Sequence, residues 1–277
     1  MKKFMKWLGL VVLALVALLV ILLAYVYSAS EKEFARTYTA TETLSIPLPT
    51  DLGEIAEGQR LAELTGCTHC HGDDLTGAVP VDIPGVARFV APNITSIVPD
   101  YSDAQMVGLL RRGVRLDGRG VWLMPSQMFR HLHDEDLARI IAWVRTVPKA
   151  AGITGQTRIH LMGRAIVVAG KFKSGAREID EIIAKGESKA PVGRGEYLVM
   201  SLCSECHGQD LNGREDAHSP PLAVAKGYSL EQFAKLMHDG VGIGGREFEL
   251  MTPTSKVRFS HLAPDEVQAI HSFLLSR

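Results

Sequence analysis

Cys67-Thr68-His69-Cys70-His71 and Cys203-Ser204-Glu205-Cys206-His207 decide how this 277-residue chain is read. Each stretch is C-x-x-C-H, and together they use all four cysteines of the sequence. Two thiols three positions apart on a short helical stretch can reach the two vinyl groups of one porphyrin and form thioethers. The adjacent histidine then presents an imidazole nitrogen to the iron from the same side. The sequence therefore predicts two covalently bound haem c groups, one on Cys67, Cys70 and His71 and one on Cys203, Cys206 and His207. Other uses of paired cysteines fit less well. Paired zinc-binding CxxC motifs are usually about 15–20 residues apart, whereas 133 positions separate Cys70 from Cys203. A thioredoxin-like motif needs no trailing histidine and belongs in a βαβ pattern that is not evident here.

The surroundings of the two motifs repeat as well. Gly58-Gln59-Arg60-Leu61 precedes the first motif and Gly195-Glu196-Tyr197-Leu198 the second. Gly72-Asp73-Asp74-Leu75-Thr76-Gly77 follows one, and Gly208-Gln209-Asp210-Leu211-Asn212-Gly213 the other. Leu109–Met124 aligns with Leu236–Met251 at a constant offset of 127, and His131–Trp143 with His261–Phe273 at an offset of 130. The last element of each half has helical periodicity: Leu137, Ile140, Ile141 and Val144 in one, Val267, Ile270, Phe273 and Leu274 in the other. Acidic residues open both helices, as the helix dipole favours. Trp143 and Phe273 are expected to pack near Leu61 and Tyr197 of their own halves.

Methionine opposite histidine is the ligation that raises a haem potential for electron transfer. Met124 and Met251 occupy the same place in the repeat, 53 and 44 positions beyond His71 and His207. They are the expected sixth ligands. Met128 is the rival in the first half, and His238 or Met237 in the second. His69 and Glu205 are expected to face solvent, and His131 and His261 to cap or pack. Arg111, Arg112, Arg119 and Arg246 are candidates for pairing with haem propionates.

From Trp7 to Tyr27 runs a stretch of 21 uncharged, mostly aliphatic residues, close to the roughly 20 needed to span a hydrocarbon core. Lys2, Lys3 and Lys6 precede it, so the N-terminus is expected on the cytoplasmic side and the rest of the chain outside. A cleaved signal peptide is the alternative, but its apolar region is normally about 7–15 residues. An uncleaved signal anchor is the favoured reading. Residues 151–190 carry seven Lys/Arg and four Asp/Glu. Within them, Arg158–Lys173 contains no acidic residue and lies either on a membrane or partner surface or across the seam between the two halves, the seam being favoured. The formal net charge of −1 marks no nucleic-acid binder.

The chain resembles exported class I cytochrome c domains in tandem, like those in cytochrome subunits of bacterial membrane-bound alcohol and aldehyde dehydrogenases. The first half carries the resemblance in Cys67–Gly72, Ala91–Thr95, Gly113–Arg119, Met124-Pro125 and Asp134–Trp143. The second carries it in Gly195–Leu198, Cys203–Gly208, Pro220–Leu222, Gly240–Arg246 and Met251, which Thr252 follows instead of proline. The resemblance implies an all-α fold of two cytochrome c domains behind one N-terminal transmembrane helix. The expected organisation is an anchor (1–30), an extended tether (31–54), domain one (55–149), a linker (150–190) and domain two (191–277). The expected function is electron relay on the periplasmic side of an inner membrane. Donors would be a dehydrogenase or quinol-oxidising complex, and acceptors a terminal oxidase or another redox protein. The alternative is a dihaem redox enzyme of peroxidase or thiosulfate-oxidising type, which needs an open or displaceable iron position.

Overall fold

The apolar N-terminal run folds as one uninterrupted helix, α1 (Lys2–Phe34), in a computed structural model that describes residues 2–186, 190–215 and 217–277. Its most apolar 18 residues have a mean hydropathy of 3.1 and none is buried, so it is long and apolar enough to cross a membrane. Helix α1 runs past the expected boundary at residue 30, and no break marks residues 28–30.

The elements that follow, in chain order, are α2 (Leu52–Thr65), α3 (Cys67–His71), β1 (Ala78–Ile83), β2 (Ala87–Ala91), α4 (Ile94–Ile97), α5 (Asp103–Arg112), α6 (Ser126–Phe129) and α7 (Asp134–Thr146). After these come β3 (Arg158–Ile159), α8 (Leu161–Val168), α9 (Gly175–Ala184), α10 (Arg194–Leu202), α11 (Ser204–His207), α12 (Leu230–Asp239), α13 (Met251–Val257) and α14 (Pro264–Ser276). Local chemistry explains several boundaries. Ser102 with Gln105 and Ser229 with Gln232 form capping boxes on α5 and α12. The left-handed glycines Gly113 and Gly240 end those two helices.

The repeat read from the sequence is also a repeat in space. Helix α2 packs on α7 in the first half as α10 packs on α14 in the second. At both crossings a glycine lets the backbones meet: a Cβ at Gly58 would fall 2.1 Å from the Arg139 carbonyl oxygen, and one at Gly195 would fall 2.4 Å from that of Ala269. Each half has its own apolar core. Leu61, Leu75, Val107, Met128, Leu137, Ile141 and Trp143 belong to the first. Leu198, Val199, Leu211, Phe233, Met237, Val267 and Ile270 belong to the second. Phe273 packs against Gly195, while Tyr197 also reaches across to the first half.

The fold is mostly helical but not all-α. Strand β1 pairs antiparallel with β2, Val81 opposite Phe89 and Ile83 opposite Ala87, and β2 pairs with β3 through Ala87 and Ile159. The β-branched Val79, Val81 and Ile83 favour this pairing, and Gly85 at φ 75 turns the hairpin.

Two segments expected as connections are instead built onto the body. Of the tether, residues 31–34 belong to α1 and 52–54 to α2. Between them, Tyr38 N donates to Gly118 O at 2.8 Å, Ser45 N donates to Asp134 Oδ2 at 2.7 Å, and Leu44 and Leu48 pack on the first core. The linker contributes β3, α8 and α9. Arg158–Lys173 packs not across the seam between the halves but against α1 through α8, and α9 packs on α5 and α6. Side chains of the two halves make the seam themselves. Arg60 bonds Glu266 at 2.9 Å and the His261 carbonyl at 2.8 Å, and Tyr197 Oη donates to Asp136 at 2.5 Å. The rings of His133 and Tyr197 stack at 3.8 Å.

Candidate haem sites

The first C-x-x-C-H motif lies on one helical turn, α3, whereas in the second Cys203 stands at the junction of α10 and α11 and Cys206 and His207 lie on α11. The four cysteines form no disulfide. Burial pushes the thiols up, Cys70 to about 11 and Cys203 to about 12, with Cys67 also raised. Cys67, Cys70 and Cys203 are thus protonated at neutral pH in the unmodified chain. Among the described residues, no group of three or more His, Cys, Asp and Glu side chains is arranged to hold a bare metal ion.

The histidines are oriented alike. His71 Nδ1 lies 2.9 Å from the Pro92 carbonyl oxygen, and His207 Nδ1 lies 2.8 Å from that of Pro220. A carbonyl can only accept, so Nδ1 carries the proton and donates, leaving the Nε2 lone pair of each ring available to a metal. This hydrogen bond from the far ring nitrogen is the usual way a ligating imidazole is held in its tautomer and orientation. Burial also lowers both histidine pKa values, which favours the neutral, ligating form.

Matching backbone contacts brace the two motifs. Gly77 N donates to His71 O at 2.7 Å and Gly213 N to His207 O at 2.9 Å. Leu75 and Leu211, buried and both left-handed at φ 58 and 61, accept from Ile94 N and Leu222 N at 2.9 Å. A left-handed leucine costs conformational energy, and it recurs at the same repeat position in both halves.

The methionines are less alike. Met124 borders the same apolar cluster as Cys67, and Met251 borders the cluster that contains Cys203. Both are half-buried. Met124 lies in a turn behind Leu123, which has φ 74, whereas Met251 opens α13. The Thr252 hydroxyl donates to Gly240 O at 2.5 Å and accepts from Phe248 N at 2.8 Å, holding the start of α13 to the preceding loop. Of the rivals, Met128 and Met237 are buried in the two cores, at 0% and 2% exposed. His238 is half-buried near the end of α12.

The other residues singled out in the sequence take the following places. His69 is exposed, but Glu205 pairs with Arg258 at 3.0 Å. His131 and His261 serve the seam: His131 Nε2 is 2.7 Å from Gln209 Oε1, and His261 Nδ1 is 3.2 Å from Glu63. Arg111 pairs with Asp134, Arg112 with Glu42 and Asp180, and Arg119 with Asp117. Arg246 lies 5.2 Å from the centroid of the Phe248 ring.

Two contributors were not anticipated from the sequence. Helix α9 backs the Met124 turn, with Gly175 N donating to Val121 O at 2.9 Å and Ser174 capping the helix. Its signal was present in the apolar spacing of Ala176, Ile179 and Ile183. Arg258 stands between the halves with its side chain 9% exposed, and its charge acts on Cys67, Cys70 and Cys203 alike. No motif marks it.

The donor set of the first half fits a covalently bound haem: two thiols and a tautomer-locked imidazole on one turn, with a thioether at the edge of the same apolar cluster. The second half presents the same donor types. The family profile described as "Cytochrome c" matches residues 55–148. The chain is 27% identical over 181 residues to a protein of Gluconobacter japonicus named fructose dehydrogenase cytochrome subunit. That alignment covers 61% of this chain and 37% of the relative, so the chain spans little more than a third of the relative's length. Residues 55–148 thus form a cytochrome c domain, which implies covalently bound haem c and electron transfer.

Proposed function

We propose that the chain is a membrane-anchored dihaem cytochrome c that transfers electrons between partner redox proteins on the periplasmic side of the inner membrane. The observation that carries this reading is the repeated histidine geometry. His71–Pro92 and His207–Pro220 are the same bond at 2.9 and 2.8 Å, within loops that share their left-handed leucines and backbone hydrogen bonds. The second half is accordingly a second cytochrome c domain. Cys67, Cys70 and His71, with Met124, hold one haem; Cys203, Cys206 and His207, with Met251, hold the other. When bound, haem supplies a one-electron iron couple. The chain fixes the axial imidazoles, keeps water from the apolar clusters and offers a methionine on each side. A histidine and a methionine available to each haem would favour electron transfer over the peroxidase or thiosulfate-oxidising alternative, which needs an accessible iron.

Retention of α1 as an anchor is supported by its continuity through residues 28–30 and by contacts at its outer end. Arg164 bonds Ser30 and pairs with Glu31, and Arg177 pairs with Glu33. The likeness to a dehydrogenase cytochrome subunit supports a dehydrogenase as electron donor, and a quinol-oxidising complex or terminal oxidase completes the class of partners. The deciding experiment is intact mass and haem quantification of the purified protein together with absorbance spectroscopy. Two haems per chain, both low-spin and six-coordinate, are expected. One haem per chain would overturn the dihaem reading, and a high-spin centre that binds cyanide or peroxide readily would favour the enzyme.

A further inference from the structure

Helix α8 lies alongside the outer end of α1, and one side chain fixes it there. The Arg164 guanidinium carbon is 4.3 Å from the centroid of the Tyr27 ring and 5.2 Å from that of Phe34, while Nη1 reaches Ser30 Oγ at 2.8 Å and Glu31 at 2.7 Å. The inner face of α8 is closed against the body: Val167 is buried, and Gly163 stands against the Val86 carbonyl. The outer face carries Leu161, Met162, Ala165, Ile166 and Ala169, all exposed and all apolar. Leu161 is 51% and Met162 61% exposed. A helix on the surface of a water-soluble body turns charged and polar residues outward. This one turns out none.

The level of α8 along α1 indicates what covers this face. The uncharged run of α1 ends at Tyr27, and the partners of Arg164 are residues 27, 30, 31 and 34. At about 1.5 Å per residue, α8 therefore stands within roughly 10 Å of the point where α1 leaves the apolar core of a bilayer. That is the depth at which interfacial helices bury an apolar face. Exposed basic residues flank it, Arg158 before and Lys171 after, suited to anionic headgroups.

We propose that the outer face of α8 is a second membrane-contact site, seated in the headgroup–acyl boundary beside α1. The occupant is lipid, because the face belongs to a helix packed on α1, whose own apolar surface is exposed, and is bordered by cations. The inference rests on reading α1 as a retained span. Its consequence is orientational: a single span leaves the extramembrane body free to swivel, whereas two contacts fix which side of it faces partners.

The test uses the full-length holoprotein in phosphatidylcholine–phosphatidylglycerol vesicles doped with a phospholipid that carries a photoactivatable diazirine near its acyl carbonyl. Adducts are mapped by mass spectrometry. Labelling of residues 161–169 together with α1 is expected. Labelling of α1 alone, the pattern of a face reserved for a protein partner, would overturn the inference and leave the anchor reading intact. Absence of label from α1 would overturn the anchor reading itself, and this inference with it. In a Met162→Glu, Ile166→Glu variant, adducts on 161–169 should be lost while α1 labelling and haem absorbance persist. Undiminished labelling of 161–169 would also overturn the inference.

Discussion

Arg258 Nε donates to the Leu64 carbonyl oxygen at 3.2 Å, joining residues 194 positions apart across the seam between the two halves. The same guanidinium holds Glu205 at 3.0 Å and reaches Met128 Sδ at 3.8 Å. One buried cation thus touches the second C-x-x-C-H motif and the helix that leads into the first.

Replacing Arg258 with Gln should lower both haem potentials, because a nearby positive charge favours the reduced iron. Glu205 and the Leu64 carbonyl would lose a charged donor, at a cost of about 1–3 kcal/mol in stability. Potentiometric titration and thermal unfolding read the two effects. Arg246→Gln, which removes a cation that lies over Phe248, is the control and should shift the potentials less. A change in only one haem potential would show that Arg258 serves a single site.

Met124→Ala and Met251→Ala should each convert one haem to a form lacking its thioether ligand, with a lower potential and altered absorbance. Met128→Leu should leave the spectrum unchanged and cost less than about 1.5 kcal/mol, as volume-conserving core exchanges do. Spectra and redox titrations of the three variants separate ligand from core residue.

Asp134 should carry part of the acid sensitivity of the fold. The Ser45 hydroxyl, with the Ser45 N–H and Arg111, holds its carboxyl down to about 2 from an ordinary value of 3.8. Its folded-state pKa lies below the unfolded one, so the stabilisation is full above about pH 4 and is lost as pH falls toward 2. The melting temperature of an Asp134→Asn variant should decline less steeply than that of wild type across this window. Parallel profiles would remove Asp134 from the account.

Arg60→Ala should loosen the seam. It leaves Glu266, 5% exposed, without its partner from the other half. Breaking a buried ion pair costs about 3–5 kcal/mol, and the partial exposure of Arg60 brings the expectation to about 2 kcal/mol. Chemical denaturation measures the loss, and it should be accompanied by earlier proteolysis between the halves.

The sequence located the C-x-x-C-H triplets and the doubling of the unit around them. It did so because thioether spacing and helical periodicity both operate over a few residues. Leu75 and Leu211 belong to the same local code, although their left-handed backbone is seen only in the fold. Helix α9 was missed because its short apolar pattern lies in a segment that otherwise reads as a basic linker. Glu205 was expected in solvent because it lies between the two cysteines of its motif; its side-chain partner comes from 53 positions away.

The chain by itself therefore marked its candidate haem-attachment residues, the cysteines and histidine of each C-x-x-C-H, since that spacing is contiguous. Tertiary structure alone decided what surrounds them. It brought Arg258 between the two motifs, set α9 behind Met124 and laid α8 beside α1 with an apolar face outward. Those arrangements depend on pairs of residues far apart in the chain, whose meeting is set by how the helices pack.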